Sequence, residues 1–213
     1  MRQETASSTV PAVANPRLAL EAAAPDTYLG DDGIIQAQSP DVRLLARRLR
    51  ERTGGDAPFA KAAFEWVRDR VDHSYDVQDS RVTLTASDVL EERVGLCYAK
   101  SHLLAALLRS EGVPTGLCYQ RLVHDDGHVL HGLVAIHLEG GWHRQDPRGN
   151  RAGIHAEFSL DAERLAWRVD PSLGEVDYPH VYASPAHCVV DTLRGTTDVL
   201  SLYNAGLPTG LDA

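Results

Sequence analysis

Cysteine is scarce in this sequence: three residues, at positions 97, 118 and 188, in a chain of 213. Three irregularly spaced cysteines exclude a disulfide framework and point to a reducing setting. Positive charge is also short, with 21 Lys and Arg against 30 Asp and Glu and a formal net charge of −9. No net positive field is present to gather nucleic acid, so no nucleic-acid partner is expected. No apolar run approaches the roughly 20 residues of a membrane-spanning helix, and no membrane partner is expected either. The opening MRQETASSTVPAVANP has one arginine and no continuous apolar block behind it, unlike a secretory signal. These absences together give the expectation of a cytoplasmic protein. What is present is ordinary for a globular chain, 43% hydrophobic and 24% charged, and long enough for one well-buried core.

The best-defined stretch is VGLCYAKSHLLAALLRSEGVP, residues 94–114. Cys97, Ser101, Leu104 and Leu108 follow at steps of four, three and four, which puts them on one face of a helix. Gly112 fits the position just past the last turn, and Pro114 stops the helix from continuing. The unpaired N–H groups of a first helical turn favour negative charge, and a cysteine there is biased toward the thiolate that attacks carbonyl carbons. A small buried residue packing a helix end fits the same position.

Upstream, residues 1–38 read as an irregular lead-in rich in Ala, Ser and Pro, loosely strand-like at most, and residues 39–213 as the folded domain. Ser39-Pro40 opens a helix with Val42, Leu45 and Leu49 on its apolar face, ending at Gly54-Gly55. Asp56 is the expected cap of a second helix, striped by Ala60, Phe64, Val67 and Val71. Periodicity fails from Asp72 to Ala86, which predicts an exposed connection; Thr85 with Asp88 then forms a capping-box pattern for a short helix running into Arg93. Downstream the pattern turns to strands: 117–123, a turn at Asp125-Asp126-Gly127, 129–138, a Gly140-Gly141 turn, and 142–146 before Pro147. Short strand-like pieces are expected over 154–169 and a loop over 171–182. Ser184-Pro185 predicts a helix through Leu193, and 197–204 a last helical segment, so the domain ends in a helical extension. The fold class is therefore α+β: a helix carrying Cys97 packed on an antiparallel sheet.

A thiol nucleophile needs a base, and the base an orienting partner. His131 opens one strand and Asp146 ends the next, 15 residues apart with a tight turn between. That spacing suits neighbouring strands, where the carboxylate fixes the imidazole tautomer. Cys97, His131 and Asp146 thus form a candidate triad.

The three pieces resemble the transglutaminase-like superfamily of papain-type cysteine enzymes, in its small bacterial branch. The resemblance rests on Gly95-Leu96-Cys97 followed by LLAALLRSEGVP with Arg109, Gly112 and Pro114 in matching places, on a strand opening with His131, and on Trp142-HRQ-Asp146-Pro147. It spans about Pro40 to Gly149. It implies a papain-like, transglutaminase-like core and a Cys97–His131–Asp146 site. The departure is His131-Gly132-Leu133, where the family commonly carries an aromatic two residues after its histidine. The N–H of Cys97 is one natural oxyanion donor. The family often adds an upstream side chain, for which Tyr75 and Gln78 are the candidates.

His124, His128, His131, His137 and His143 crowd 20 positions, a density at which a metal site is conceivable. His131 and His137 share strand parity but lie about 20 Å apart at strand rise, too far for one zinc. His124, His128 and His131 would have to converge across the turn, with no Cys-x-x-Cys or His-Glu-x-x-His beside them. The expectation is turn histidines at 124 and 128, no metal and no cofactor. Cys118 and Cys188 read as buried apolar residues. The expected function is thiol acyl transfer on a peptide or a small amide or ester, as an amidase or peptidase. Transglutaminase-type amine transfer, or a binding or scaffold domain that keeps the fold without turnover, stand as alternatives.

Overall fold

A computed structural model describes residues 18–125 and 127–211. The lead-in before residue 18 and Asp126 of the expected turn lie outside the described residues. In chain order the elements are β1 (Ala19–Leu20), α1 (Pro40–Arg50), α2 (Asp56–Arg70), β2 (Asp72–His73), α3 (Ser74–Val77), α4 (Ala86–Glu92) and β3 (Val94–Gly95). They continue with α5 (Cys97–Ser110), β4 (Thr115–His124), β5 (Gly127–Leu138), β6 (Gly141–Gln145), β7 (Val176–Asp177), β8 (His180–Val181), α6 (His187–Arg194) and α7 (Leu202–Ala205). The result is α+β, with the main sheet in the order β6-β5-β4-β7, all pairings antiparallel.

Helix α5 is the axis of the molecule. Every residue from Cys97 to Arg109 is buried, so it is covered by α1, α2 and α4 on one side and the sheet on the other. A helix that is apolar nearly all round must lie inside the fold. Two of its cations survive there because backbone carbonyls receive them. Lys100 Nζ donates to Val71 O and, at 3.4 Å, to Arg68 O, meeting the free carbonyl end of α2. Arg109 donates to Thr115 O, Gly30 O and Ala183 O at 2.7–2.9 Å, tying three chain segments to the end of α5.

The strands read LVAI rather than alternating, and both sheet faces are covered. Leu117, Tyr119, Val134 and Ile136 face the α5 side, whereas Cys118, Leu133 and Ala135 form a second cluster with Tyr28 and Val181. Alternate residues of a strand point to opposite faces. The second face needs a cover, and the segment expected as an irregular lead-in supplies part of it. Ala19 and Leu20 pair with His180 and Val181, and the Tyr28 ring meets Trp142 edge-on at 4.7 Å. At Gly116 a Cβ would lie 2.3 Å from Val181 Cγ1, so glycine is what lets β8 cross β4 this closely.

Other expectations are corrected. Gly55, not Asp56, is the cap of α2; Asp56 is the first helical residue and pairs with Arg50 at 2.6 Å. The stretch after Asp72 is no exposed connection: His73 and Ser74 are buried, and β2 pairs in parallel with β3. Two-residue strands and one-turn helices are too short to leave a period in the sequence. Residues 155–169 contain no strand; this segment is tied to β6 by side-chain bonds, Gln145 to Ser159 O and Arg144 to Glu163. The loop expected at 171–182 instead contributes β7 and β8. Helix α6 begins at His187, beyond Ser184-Pro185, and the last helical segment shortens to 202–205. The capping box at Thr85 and Asp88 forms as expected.

Candidate active site

The site begins with the chain entering α5. Val94-Gly95 is held as β3 against β2, with His73 opposite Gly95. Leu96 is the N-cap residue in extended conformation and supplies no side-chain cap. The first-turn N–H groups of α5 therefore remain available near Cys97 Sγ. The thiol is 7% exposed and accepts a 3.4 Å contact from the N–H of Gly132 on β5. At Gly132 a Cβ would stand 2.8 Å from the Tyr98 ring and 3.2 Å from Tyr98 Cα. A small residue at position 132 is thus what brings β5 against the mouth of α5. The Tyr98 hydroxyl closes the same contact by donating to Leu130 O.

That approach places His131, the neighbour of Gly132, in the same cavity as the thiol, near enough for Cys97 to help raise its pKa. Its Nε2 meets Asp146 Oδ2 at 2.8 Å, which leaves Nδ1 as the ring nitrogen for Sγ. Asp146 in turn accepts the N–H groups of Arg148 at 3.0 Å and Ala166 at 3.1 Å. Burial alone would lower the His131 pKa, but the Asp146 carboxylate and Cys97 outweigh it and raise it. Burial would likewise raise the Asp146 carboxyl, yet His131 and the two backbone donors hold it below the usual range. Both shifts run in the direction that favours an imidazolium–carboxylate pair. The structure brings together all three residues of the candidate triad.

Trp167 lies edge-on to His131 at 4.8 Å between ring centroids. Arg148 sits over the other side of that indole at 5.3 Å and is anchored by Asp76, Nη2 to Oδ1 at 2.8 Å. Arg151 shares Asp76 at 2.9 Å. Neither Trp167 nor Arg148 stood out in the sequence. Arg148 follows Asp146 by two positions in Asp-Pro-Arg-Gly, which was a usable signal; Trp167 lies in a segment without local regularity.

A cavity of about 210 Å³ opens above Cys97 and His131. Tyr75 is in its wall, its ring stacked on Tyr203 at 4.2 Å. Gln78 is not: it is exposed, in a left-handed conformation, and its amide donates back to Tyr75 O at 2.6 Å. His73 lines the cavity and went unnoticed in the sequence, because it falls in the aperiodic stretch. His124 also belongs to this wall, against the rings of Tyr75 and Tyr203, not to a solvated turn. His128 bonds Leu173 O at 3.1 Å. Among the described residues no three His, Cys, Asp or Glu side chains are grouped to hold a metal. Cys118 is fully buried, and burial pushes its thiol up to about 12; Cys188 is half-buried on α6. Among the described residues no helix is long and apolar enough to cross a membrane.

The pattern of the transglutaminase-like superfamily matches residues 43–147. A candidate cysteine protease of Cytophaga hutchinsonii superposes with a TM-score of 0.48 at 19% identity, over 57% of this chain and 40% of that one. The periplasmic domain of TgpA from Pseudomonas aeruginosa does so with 0.44 at 19% identity, over 58% of this chain and 49% of that one. The match thus spans less than half the length of either solved chain. No curated protein matches.

Proposed function

Residues 43–147 belong to the transglutaminase-like superfamily, and on that premise we propose cysteine-dependent acyl transfer on a peptide or small amide or ester. The observation that carries the reading is the 2.8 Å contact of His131 Nε2 with Asp146, made by a histidine that shares its cavity with Cys97. In it Cys97 is the nucleophile, His131 the proton shuttle and Asp146 the group that orients His131. Sγ adds to the carbonyl carbon while the carbonyl electron pair moves onto oxygen. The pair returns, the bond to the leaving group breaks, and the leaving group takes a proton from His131. Water then attacks the thioester, giving its proton to His131, and the acid departs with the thiol restored. An amine in place of water gives the transfer product.

The test is pre-steady-state turnover of a p-nitrophenyl ester. The expected result is a burst of about one nitrophenol per chain, absent in Cys97→Ala, with the acyl group mapped to Cys97. No burst, or acyl label on Cys118 or Cys188, would sink the proposal and favour a non-catalytic binding domain. Added primary amine separates the two acceptors, since only amine transfer yields the amide in preference to the acid.

A further inference from the structure

The cleft holds a second histidine that the scheme above leaves unused. His73 ends β2 opposite Gly95, and paired strands lie about 4.8 Å apart. The chain that leads into Cys97 two residues later therefore runs directly beside it. The side chain lines the same cavity as Cys97 and His131 and is only 7% exposed. Its Nδ1 is buried with no hydrogen-bond partner, which leaves Nε2 as the nitrogen that reaches the cleft. An orphaned buried N–H is rarer and costlier than an orphaned acceptor, so the proton belongs on Nε2. Burial, followed by the nearby cations Arg148 and Lys100, holds the His73 pKa well below its ordinary value. The ring is a neutral single donor facing the thiol's cavity.

Resting on the acyl-transfer reading, we propose that His73 Nε2–H binds the substrate carbonyl oxygen as it becomes an oxyanion, alongside the backbone N–H of Cys97. No proton leaves His73: it holds the developing charge while the Sγ–carbon bond forms, and releases it when the carbonyl re-forms. Such a donor stabilises the transition state more than the bound ester, so its loss falls on the acylation rate. Of the two upstream candidates, Gln78 is outside the cleft, and the Tyr75 ring is stacked on Tyr203 in the outer wall. His73 is the more deeply buried and is fixed by the strand pairing next to Cys97.

The experiment compares two reactions of one thiol in the full chain: acylation by p-nitrophenyl acetate and alkylation by chloroacetamide. Alkylation displaces chloride from a saturated carbon and develops no oxyanion. His73→Leu is expected to slow acylation on the order of a hundredfold while alkylation stays within about twofold of wild type. His73→Gln is expected to recover most of the acylation rate, because its amide nitrogen overlays Nε2. His73→Asn is expected to recover none, because its nitrogen falls at the Nδ1 position. Should His73→Leu fail to fold, the Gln and Asn forms carry the comparison. Unchanged acylation in the variants, or equal loss of both reactions, overturns the role of His73 and leaves acyl transfer standing. A wild type without a burst overturns both.

Discussion

The cleft has two walls, each with a buried histidine, and the two rings are in opposite states. On the β5–β6 wall His131 meets Asp146 at 2.8 Å and carries a raised pKa. On the β2 wall His73 has no carboxylate partner among the described residues, and burial, with Arg148 and Lys100 nearby, holds its pKa well below the ordinary value. Burial penalises the charged form of both, so the carboxylate decides the outcome. Under the proposed acyl transfer, the same residue type would supply a charged proton carrier and a neutral donor within one cavity.

The sharpest way to break this contrast is Asp146→Asn, which keeps the shape of the side chain and removes its charge. The expected loss in acyl-enzyme formation is on the order of a hundredfold or more. The His131 ring, followed by NMR, should titrate at lower pH than in wild type, toward the behaviour of His73. Unchanged titration of His131 would mean that Asp146 is a structural strand-end residue, and the triad assignment would fail.

A second test reads both walls through stability. His73 and His102, the latter pushed down to about 4 by burial, are neutral when folded and bind protons on unfolding. Stability is therefore expected to fall as pH drops below about 6.5, by about 1.4 kcal/mol per pH unit for each such proton. His131 has the opposite sign: its contribution is complete below about 6.5 and is lost as pH rises through its raised folded value. Lys100, pushed down to about 7 by burial, offsets that loss because it binds a proton on unfolding above pH 7. Denaturant melts from pH 4 to 9 should show a steep acid side and a shallow alkaline one. His73→Asn should flatten the acid side, and Asp146→Asn should make stability climb with pH above 7. An acid limb of equal slope in wild type and His73→Asn would contradict the neutral assignment of His73.

The smallest expected effect comes from pushing the nucleophile away from the His131 wall. In Gly132→Ala the new Cβ meets Tyr98 at 2.8 Å, so β5 and the mouth of α5 must separate. The expected cost is about 1–3 kcal/mol in unfolding free energy, with slower Cys97 acylation and no change in the titration of His73. Wild-type stability and rate in this variant would show that the close approach is not what seats His131.

Much of one wall was legible from sequence and almost none of the other. Cys97 opens α5, His131 lies within β5 and Asp146 directly follows β6, regular elements whose periodicity and turns locate them. Their contacts then follow from strand order. His73 sits on a two-residue strand whose partner is Val94-Gly95, and nothing local in Asp72-His73-Ser74 announces a pairing made 22 residues away. Trp167 and the Ala166 N–H reach the triad from a segment with no regular structure, held by bonds such as Gln145 Nε2 to Ser159 O at 2.6 Å. Side-chain tethering of this kind leaves no period to read. The departure from the family pattern was visible at Leu133, two residues after His131, but the role of Gly132, the contact with Tyr98, required the packing of β5 on α5.

The burial of α5 on every side also bears on how the protein breathes. From Lys100, whose N–H donates to Leu96 O at 3.0 Å, its amides sit in a closed ladder under helices and sheet. They are expected to exchange with deuterium only when the whole domain opens. The amides of Cys97, Tyr98 and Ala99 precede that ladder, in the turn that opens at the cleft through Cys97 and Tyr98. A single helix should therefore span the slowest-exchanging amides of the chain and, within one turn of them, three that exchange without unfolding. Acylation of Cys97 would then be registered first as protection at those three positions, with the rest of α5 unchanged.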